Sequence, residues 1–176
     1  MKQYKVAILG ATGAVGREMM KILAERDFPV AELHLLASER SVGQLLPWKG
    51  QDIAVELACD EAFKGMDIVL GAAENDIAKR FAPAIVKAGA VFVDNSSAFR
   101  MDPNVPLVIP EINPEDARKH KGIIANPNCT TIVSLVAINA LNQDSPIESI
   151  IASSLSLIHI SEPTRLSEAS RMPSSA

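Results

Sequence analysis

The chain has 176 residues, 48% hydrophobic, 22% charged and 4% aromatic, which excludes a disordered or fibrous chain and suits one globular domain with the start of a second. Lys and Arg total 17 against 21 for Asp and Glu, so a formal net charge of -4 supplies no broad field for nucleic acid or anionic lipid. Recognition is expected in a local pocket, with no nucleic-acid or membrane partner, and no apolar run approaches the roughly 20 residues a membrane helix needs.

Apolar runs of strand length alternate with stretches of helical period along the chain. Tyr4 to Leu9 reads as a strand and Val15 to about Glu25 as an amphipathic helix. Glu32 to Ala37 follows as a second strand. A weaker pair, around Trp48 and over Ile53 to Leu57, brackets the turn-like Lys49-Gly50 and is expected as a small excursion from the main sheet. Met66 to Leu70 and Ala90 to Val93 are short, fully apolar runs of the kind buried on both faces of a parallel sheet. Between them lies a helix over about Ile77 to Ala88, despite Pro83, closed by Gly89. Pro103, Pro106, Pro110 and Pro114 break the next stretch into a covering loop, with a short helix opening at Pro114. Gly122 to Ala125 is a further strand, Thr130 to Leu141 an apolar helix, and Glu148 to Ala152 the opening of another strand. The rhythm is that of an α/β fold with a Rossmann-like doubly wound parallel sheet.

From Leu155 the character changes, with six serines and no helical face or sheet alternation after Ile160. Two readings stand: a natural Ser-rich tail, or a non-native one. Leu155 to Arg165 resembles a translated transposase-type sequencing adapter, and Ser170 to Ala176 the adjoining flow-cell adapter in a shifted frame. Residues 155–176 are therefore set aside from fold and function. The start of the chain, MKQYKVAILG, lacks the pattern of a secretory leader, so a cytoplasmic setting without structural disulfides is expected.

Gly10-Ala11-Thr12-Gly13-Ala14-Val15-Gly16 joins the first strand to the first helix, where a phosphate-binding turn belongs. Gly10 permits a tight turn, Gly13 lets the backbone approach a pyrophosphate, and Gly16 lets the helix pack on the strand. The first helical N–H groups then face the anion. The spacing G-x-x-G-x-x-G departs from G-x-G-x-x-G, and a ligand-free turn is the alternative. No Gly-Lys-Ser/Thr follows, which disfavours a Walker-type site. At the end of the second strand, Ser38, Arg40 and Ser41 suit a 2'-phosphate and favour NADP, while Glu39 pulls the other way and a solvated loop is the alternative.

Asn126-Pro127-Asn128-Cys129 places a cysteine at a helix N-terminus behind an Asn cap. Such positions favour thiolates and hold a developing oxyanion, although a free cysteine is also commonly a small buried hydrophobe. Cys59 has acidic neighbours and no cap, and reads as structural or incidental. Arg100 follows the strand Ala90 to Val93 and so emerges at the carboxyl edge of the sheet. It is placed either to bind an anion or to pair with Asp102 or Glu111. His34, His120 and His159 show no metal-ligand spacing, and no metal site is expected.

GATGAVG at 10–16, ASERS at 37–41, DNSSAFRMD at 94–102, VIPEINPE at 108–115 and GIIANPNCTT at 122–131 together resemble bacterial aspartate-semialdehyde dehydrogenases, over residues 1 to about 154. The resemblance implies reversible reduction of aspartyl 4-phosphate to aspartate 4-semialdehyde with NADPH, on the route to lysine, methionine, threonine and isoleucine. It implies Cys129 as nucleophile through an acyl-thioester, Arg100 as the arginine of the substrate phosphate, and Asn128 beside the same pocket. Thr12 to Val15 match the cofactor-phosphate turn, and Arg40 with Ser41 the 2'-phosphate contacts. Gly71-Ala72-Ala73-Glu74-Asn75 departs from a serine-alanine-glycine-glycine run of many members. The implied organisation is an NADP-binding domain over 1–128 and, over 129–154, the truncated start of a second α+β substrate domain. The family's glutamine, carboxylate-binding arginine and general-base histidine fall beyond the matched blocks, so a fragment without turnover is expected, from a homodimeric or homotetrameric parent. N-acetyl-glutamyl-phosphate reductase is a rival with the same cysteine logic, disfavoured by Asn128, and a non-catalytic dinucleotide-binding module is a second.

Overall fold

The computed structural model describes residues 2–151 and 153. They divide into two compact units between Asn139 and Ala140. Residues 155–176, with the adapter-like segments and His159, lie outside the described residues.

The first unit is built on β1 (Tyr4–Leu9), α1 (Ala14–Glu25), β2 (Val30–Ala37), β3 (Leu45–Trp48), β4 (Gln51–Leu57), β5 (Ile68–Gly71), α2 (Asn75–Lys87), β6 (Val91–Asp94) and β7 (Ile123–Ala125). The seven strands form one sheet in the order β3-β4-β2-β1-β5-β6-β7. Every pairing is parallel except that of β3 with β4. β1 lies at the centre, with Ile8 opposite Leu35 on one side and Leu70 on the other.

The side-chain period of two explains the two layers. Val6 and Ile8 point into one core with Leu33, Leu35, Val55 and Met20 of α1. Ala7 and Leu9 point into the opposite core with Val69, Phe92 and the α2 residues Phe81 and Ile85. From Val6 to Leu9 both faces of β1 are buried, hence the unbroken apolar run over those four residues. The helices take opposite faces because the chain winds outward from β1 in both directions, and that reversal between β1 and β5 opens a crevice at the carboxyl ends of the strands.

Local signals account for the connections. α2 ends with Gly89 at φ +84, and the N–H of Ala90 bonds Ile85 O while that of Gly89 bonds Val86 O, the paired closure of a glycine-stopped helix. Pro83 is tolerated because it and Lys79 lie on the exposed side of α2, away from its packed face. Lys49 and Gly50 both have positive φ, 45° and 79°, which gives the tight turn between β3 and β4 its twist. That hairpin is not the excursion expected from its sequence. β4 pairs in parallel with β2 through Leu35–Val55 to Ala37–Leu57, so the hairpin is the edge of the main sheet, and Trp48 Nε1 ties it to α1 by donating to Met20 O at 3.0 Å.

The proline-rich stretch also does more than cover. The N–H of Val108 donates to Ala125 O and that of Ala125 to Pro106 O, extending the sheet beyond β7, and Val108 and Ile109 are buried. Pro114–Lys119 forms a 3-10 turn where the short helix was expected. α3 (Cys129–Asp144) buries none of its side chains, and Val133 is 76% exposed. In the second unit, residues 145–151 carry no regular structure. The strand expected over Glu148 to Ala152 is thus not formed across 148–151. A strand exists only by pairing, and the described part of the second unit contains no strand to pair with.

Candidate active site

The glycine turn separates two kinds of demand. A Cβ on Gly10, whose φ is +89, would stand 2.6 Å from Ala72 O, and one on Gly16 would stand 2.4 Å from Gly10 O. Both contacts are with backbone, so the fold itself requires these glycines. Gly13 differs: a Cβ there meets only Gly10 O, at ordinary contact distance of 3.5 Å. Nothing among the described residues requires a glycine at 13, which is what a position kept bare for an external group looks like. Gly13 is also the N-cap of α1 and provides no side-chain cap, so the first-turn N–H groups remain free for an anion.

Gly10, Thr12 and Gly13 line a cleft of about 730 Å³ at the carboxyl ends of β1, β2, β4 and β5. Ser38, Glu39 and Arg40 line it beyond β2, Leu57, Ala58 and Cys59 beyond β4, and Ala72 with Ala73 beyond β5. Ile77, Arg80 and Phe81 of α2 complete the wall. Among the residues the sequence singled out, the cleft gathers Gly10, Thr12, Gly13, Ser38 and Arg40. Ala14, Val15 and Gly16 stay in the first turn of α1, and Ser41 closes the 3-10 turn Glu39–Ser41 outside the lining. Cys59, which its sequence marked as incidental, and Arg80, which no motif marked, both belong to the cleft.

A second group of side chains stands at the ends of β6 and β7. Arg100 Nε donates to Asn126 O and its Nη2 to Asn95 O, each at 2.9 Å. Asn126 Nδ2 closes the arrangement by donating to Asn95 Oδ1 at 2.6 Å. Neither Asp102 nor Glu111 pairs with Arg100; backbone carbonyls take its donors instead, leaving its positive charge unneutralised by any described carboxylate. Beneath it, the fully buried Asp94 accepts from Ser96 N at 3.1 Å and Ser96 Oγ at 2.6 Å, which fixes the turn after β6. Where the sequence departs from the family run, Asn75 Oδ1 accepts from Ser97 N at 2.9 Å and locks α2 to the same turn.

Cys129 is the first residue of α3 and is exposed. Asn128 Oδ1 accepts from Thr130 N at 2.9 Å, so the Asn cap forms as its sequence position indicated. His34 lies between Glu32 and Glu56, and His120 Nδ1 accepts from Gly122 N, so each histidine serves a local contact. No cluster of metal-ligating side chains occurs among the described residues, and none of their helices is long and apolar enough to cross a membrane.

A parallel sheet with a bare glycine turn over a cleft at its switch point defines a dinucleotide-binding α/β domain. Residues 5–120 match the family model "Semialdehyde dehydrogenase, NAD binding domain", and the chain belongs to that family. Its similarity extends to aspartate-semialdehyde dehydrogenases of Synechocystis sp., 59% identical over 147 residues, and of Aquifex aeolicus, 52% identical over 153. These alignments cover 84% and 85% of this chain but 44% and 45% of the relatives, so the chain spans less than half their length. The crystal structure of aspartate semialdehyde dehydrogenase II from Vibrio cholerae, complexed with ASA, superposes with a TM-score of 0.79 at 45% identity, covering 84% of this chain and 49% of that one. The enzyme from Candida albicans, solved with NADP, gives 0.64 at 26% identity, covering 83% and 48%.

Proposed function

We propose that this chain is the cofactor-binding part of an NADP-dependent aspartate-semialdehyde dehydrogenase, with residues 1–128 as the NADP-binding domain and 129–154 as the start of the catalytic domain. The observation that carries the reading is that the glycine-turn cleft and the Arg100–Asn126 contact, three residues before Cys129, occupy the same carboxyl edge of one parallel sheet. The bare Gly13 and the cation Arg40, with Ser38 beside it, fit a dinucleotide carrying a 2'-phosphate. Relatives named as aspartate-semialdehyde dehydrogenases, one of them solved with NADP, support the same assignment. When bound, NADPH supplies a hydride to the acyl carbon.

Each residue has a distinct task. The Gly10–Gly16 turn and α1 hold the pyrophosphate, and Ser38, Arg40 and Ser41 hold the 2'-phosphate. Cys129 Sγ attacks the acyl phosphate of L-aspartyl 4-phosphate, forms the carbon–sulfur bond and expels phosphate, leaving an acyl-thioester. Arg100 holds the phosphate with the donors left after its two carbonyl bonds. Asn128, through its cap, keeps the start of α3 in place beneath the reacting carbonyl.

The product, L-aspartate 4-semialdehyde, feeds the route to lysine, methionine, threonine and isoleucine, and the enzyme works in the cytoplasm. The intact parent is a homodimer or homotetramer. The 176-residue chain by itself has negligible turnover, because it spans under half of its relatives. Treating an intact enzyme that carries residues 1–150 of this chain with a vinyl sulfone or acyl-phosphate analogue tests the chemistry. An adduct on Cys129 supports it, and a clean Cys129 with bound NADPH favours the non-catalytic module.

A further inference from the structure

The sequence assigns the cleft one recognition cation, Arg40, but the structure supplies two. Arg80 lies on α2, on the wall formed with Ile77 and Phe81, while Arg40 stands on the stretch after β2. The Arg80 guanidinium lies 4.8 Å from the centroid of the Phe81 ring, which is itself buried at 2% exposure. A fixed aromatic platform under a planar cation narrows its rotamers and reduces the entropy lost when it grips a ligand. Asp60 and Glu61 line the neighbouring hollow that Arg80 also borders, yet neither forms an ion pair with it among the described residues. Glu39 is the only carboxylate lining the cleft, against two guanidinium groups.

We propose that Arg80 is a second specificity-determining residue, closing on the 2'-phosphate from the α2 wall opposite Arg40. The proposal rests on the reading of the cleft as an NADP site. A phosphomonoester carries roughly -1.5 to -2 charge at neutral pH, more than one guanidinium neutralises, and two forks from opposite walls match both its charge and its oxygens. NAD, which presents a hydroxyl there, offers the two guanidinium groups no phosphate to grip. The residue escaped notice in the sequence because α2 carries no nucleotide motif and Arg80 follows Lys79 on what reads as an ordinary charged helix face.

The test is competitive binding to the full 176-residue chain, with circular dichroism melting to show that each variant folds. Affinities for 2',5'-ADP and 5'-AMP are compared in the parent, Arg80→Ala, Arg80→Lys and Arg40→Ala. The expected result for Arg80→Ala is about a tenfold loss for 2',5'-ADP, the size of one charge-assisted hydrogen bond, with 5'-AMP changed less than about twofold. Arg80→Lys, which keeps the charge without the fork, recovers part of the loss. Unchanged 2',5'-ADP affinity in Arg80→Ala overturns the proposal. Equal losses for both ligands also overturn it, by making Arg80 a platform for adenine. If the parent chain binds neither ligand, the NADP reading itself fails; if it binds both and only Arg40→Ala is selective, Arg80 alone is ruled out.

Discussion

Arg100 Nε donates to the carbonyl of Asn126 across 2.9 Å, which ties the cation after β6 to the loop that delivers Cys129 three residues later. The two ends of this loop are further joined by the Asn126–Asn95 amide contact at 2.6 Å. Arg100 is thus both a strut and a charge, and the two roles separate by substitution. Arg100→Ala leaves two carbonyls without their donor and is expected to cost about 1–3 kcal/mol, read by urea unfolding of the chain. In a chimera joining residues 1–150 to the remainder of the Synechocystis relative, Arg100→Lys is expected to raise KM for phosphate roughly tenfold while changing kcat less, as loss of a bidentate grip does. A chimera whose KM stays constant would show that the strut is the whole of its role.

The glycine turn makes a similar separation. Gly16→Ala drives a methyl group into backbone at 2.4 Å and is expected to destabilise the fold by about 1–3 kcal/mol. Gly13→Ala meets only ordinary contact at 3.5 Å, so its melting temperature stays within a degree or two while NADPH affinity falls. Thermal melts paired with NADPH fluorescence titrations read both.

The two cysteines differ in exposure. Cys129 is exposed and Cys59 is half-buried in the cleft wall, so N-ethylmaleimide is expected to label Cys129 first. NADPH is expected to slow the labelling of Cys59, which lines the cleft, and that of Cys129, whose acyl carbon receives the hydride. Peptide mass spectrometry of timed reactions reports both rates.

α3 has no buried residue, and Val133 stands 76% exposed on it. Exposed apolar surface of this kind promotes self-association. Val133→Ser is expected to reduce dye binding to apolar surface and concentration-dependent light scattering, with a melting temperature within a degree or two of the parent.

Much of this architecture was legible because each level of the sequence agreed with the next. β1 occupies Tyr4–Leu9 as expected, because burial of Val6–Leu9 on both faces leaves no room for a polar letter there. The glycines at 10 and 16 announced a turn that sterics do require. What escaped reading depended on partners without a letter of their own. β4 looked peripheral because pairing with β2 is decided by backbone register, and Val108 joined β7 through main-chain groups that proline spacing conceals. Arg100 was matched against acidic residues nearby in sequence, whereas its donors went to carbonyls, which every residue carries. Cys59 and Arg80 entered the cleft because β4 and α2 converge there, a proximity that separates them by 21 positions along the chain.

The most direct measurement is the affinity of the 176-residue chain for NADPH and NADH, with and without Arg40→Ala. A 2'-phosphate site at Arg40 requires tighter binding of NADPH in the parent chain, a loss of about tenfold or more in Arg40→Ala, and an NADH affinity changed less than about twofold. Absence of binding to either dinucleotide, or equal weakening of both, would contradict it.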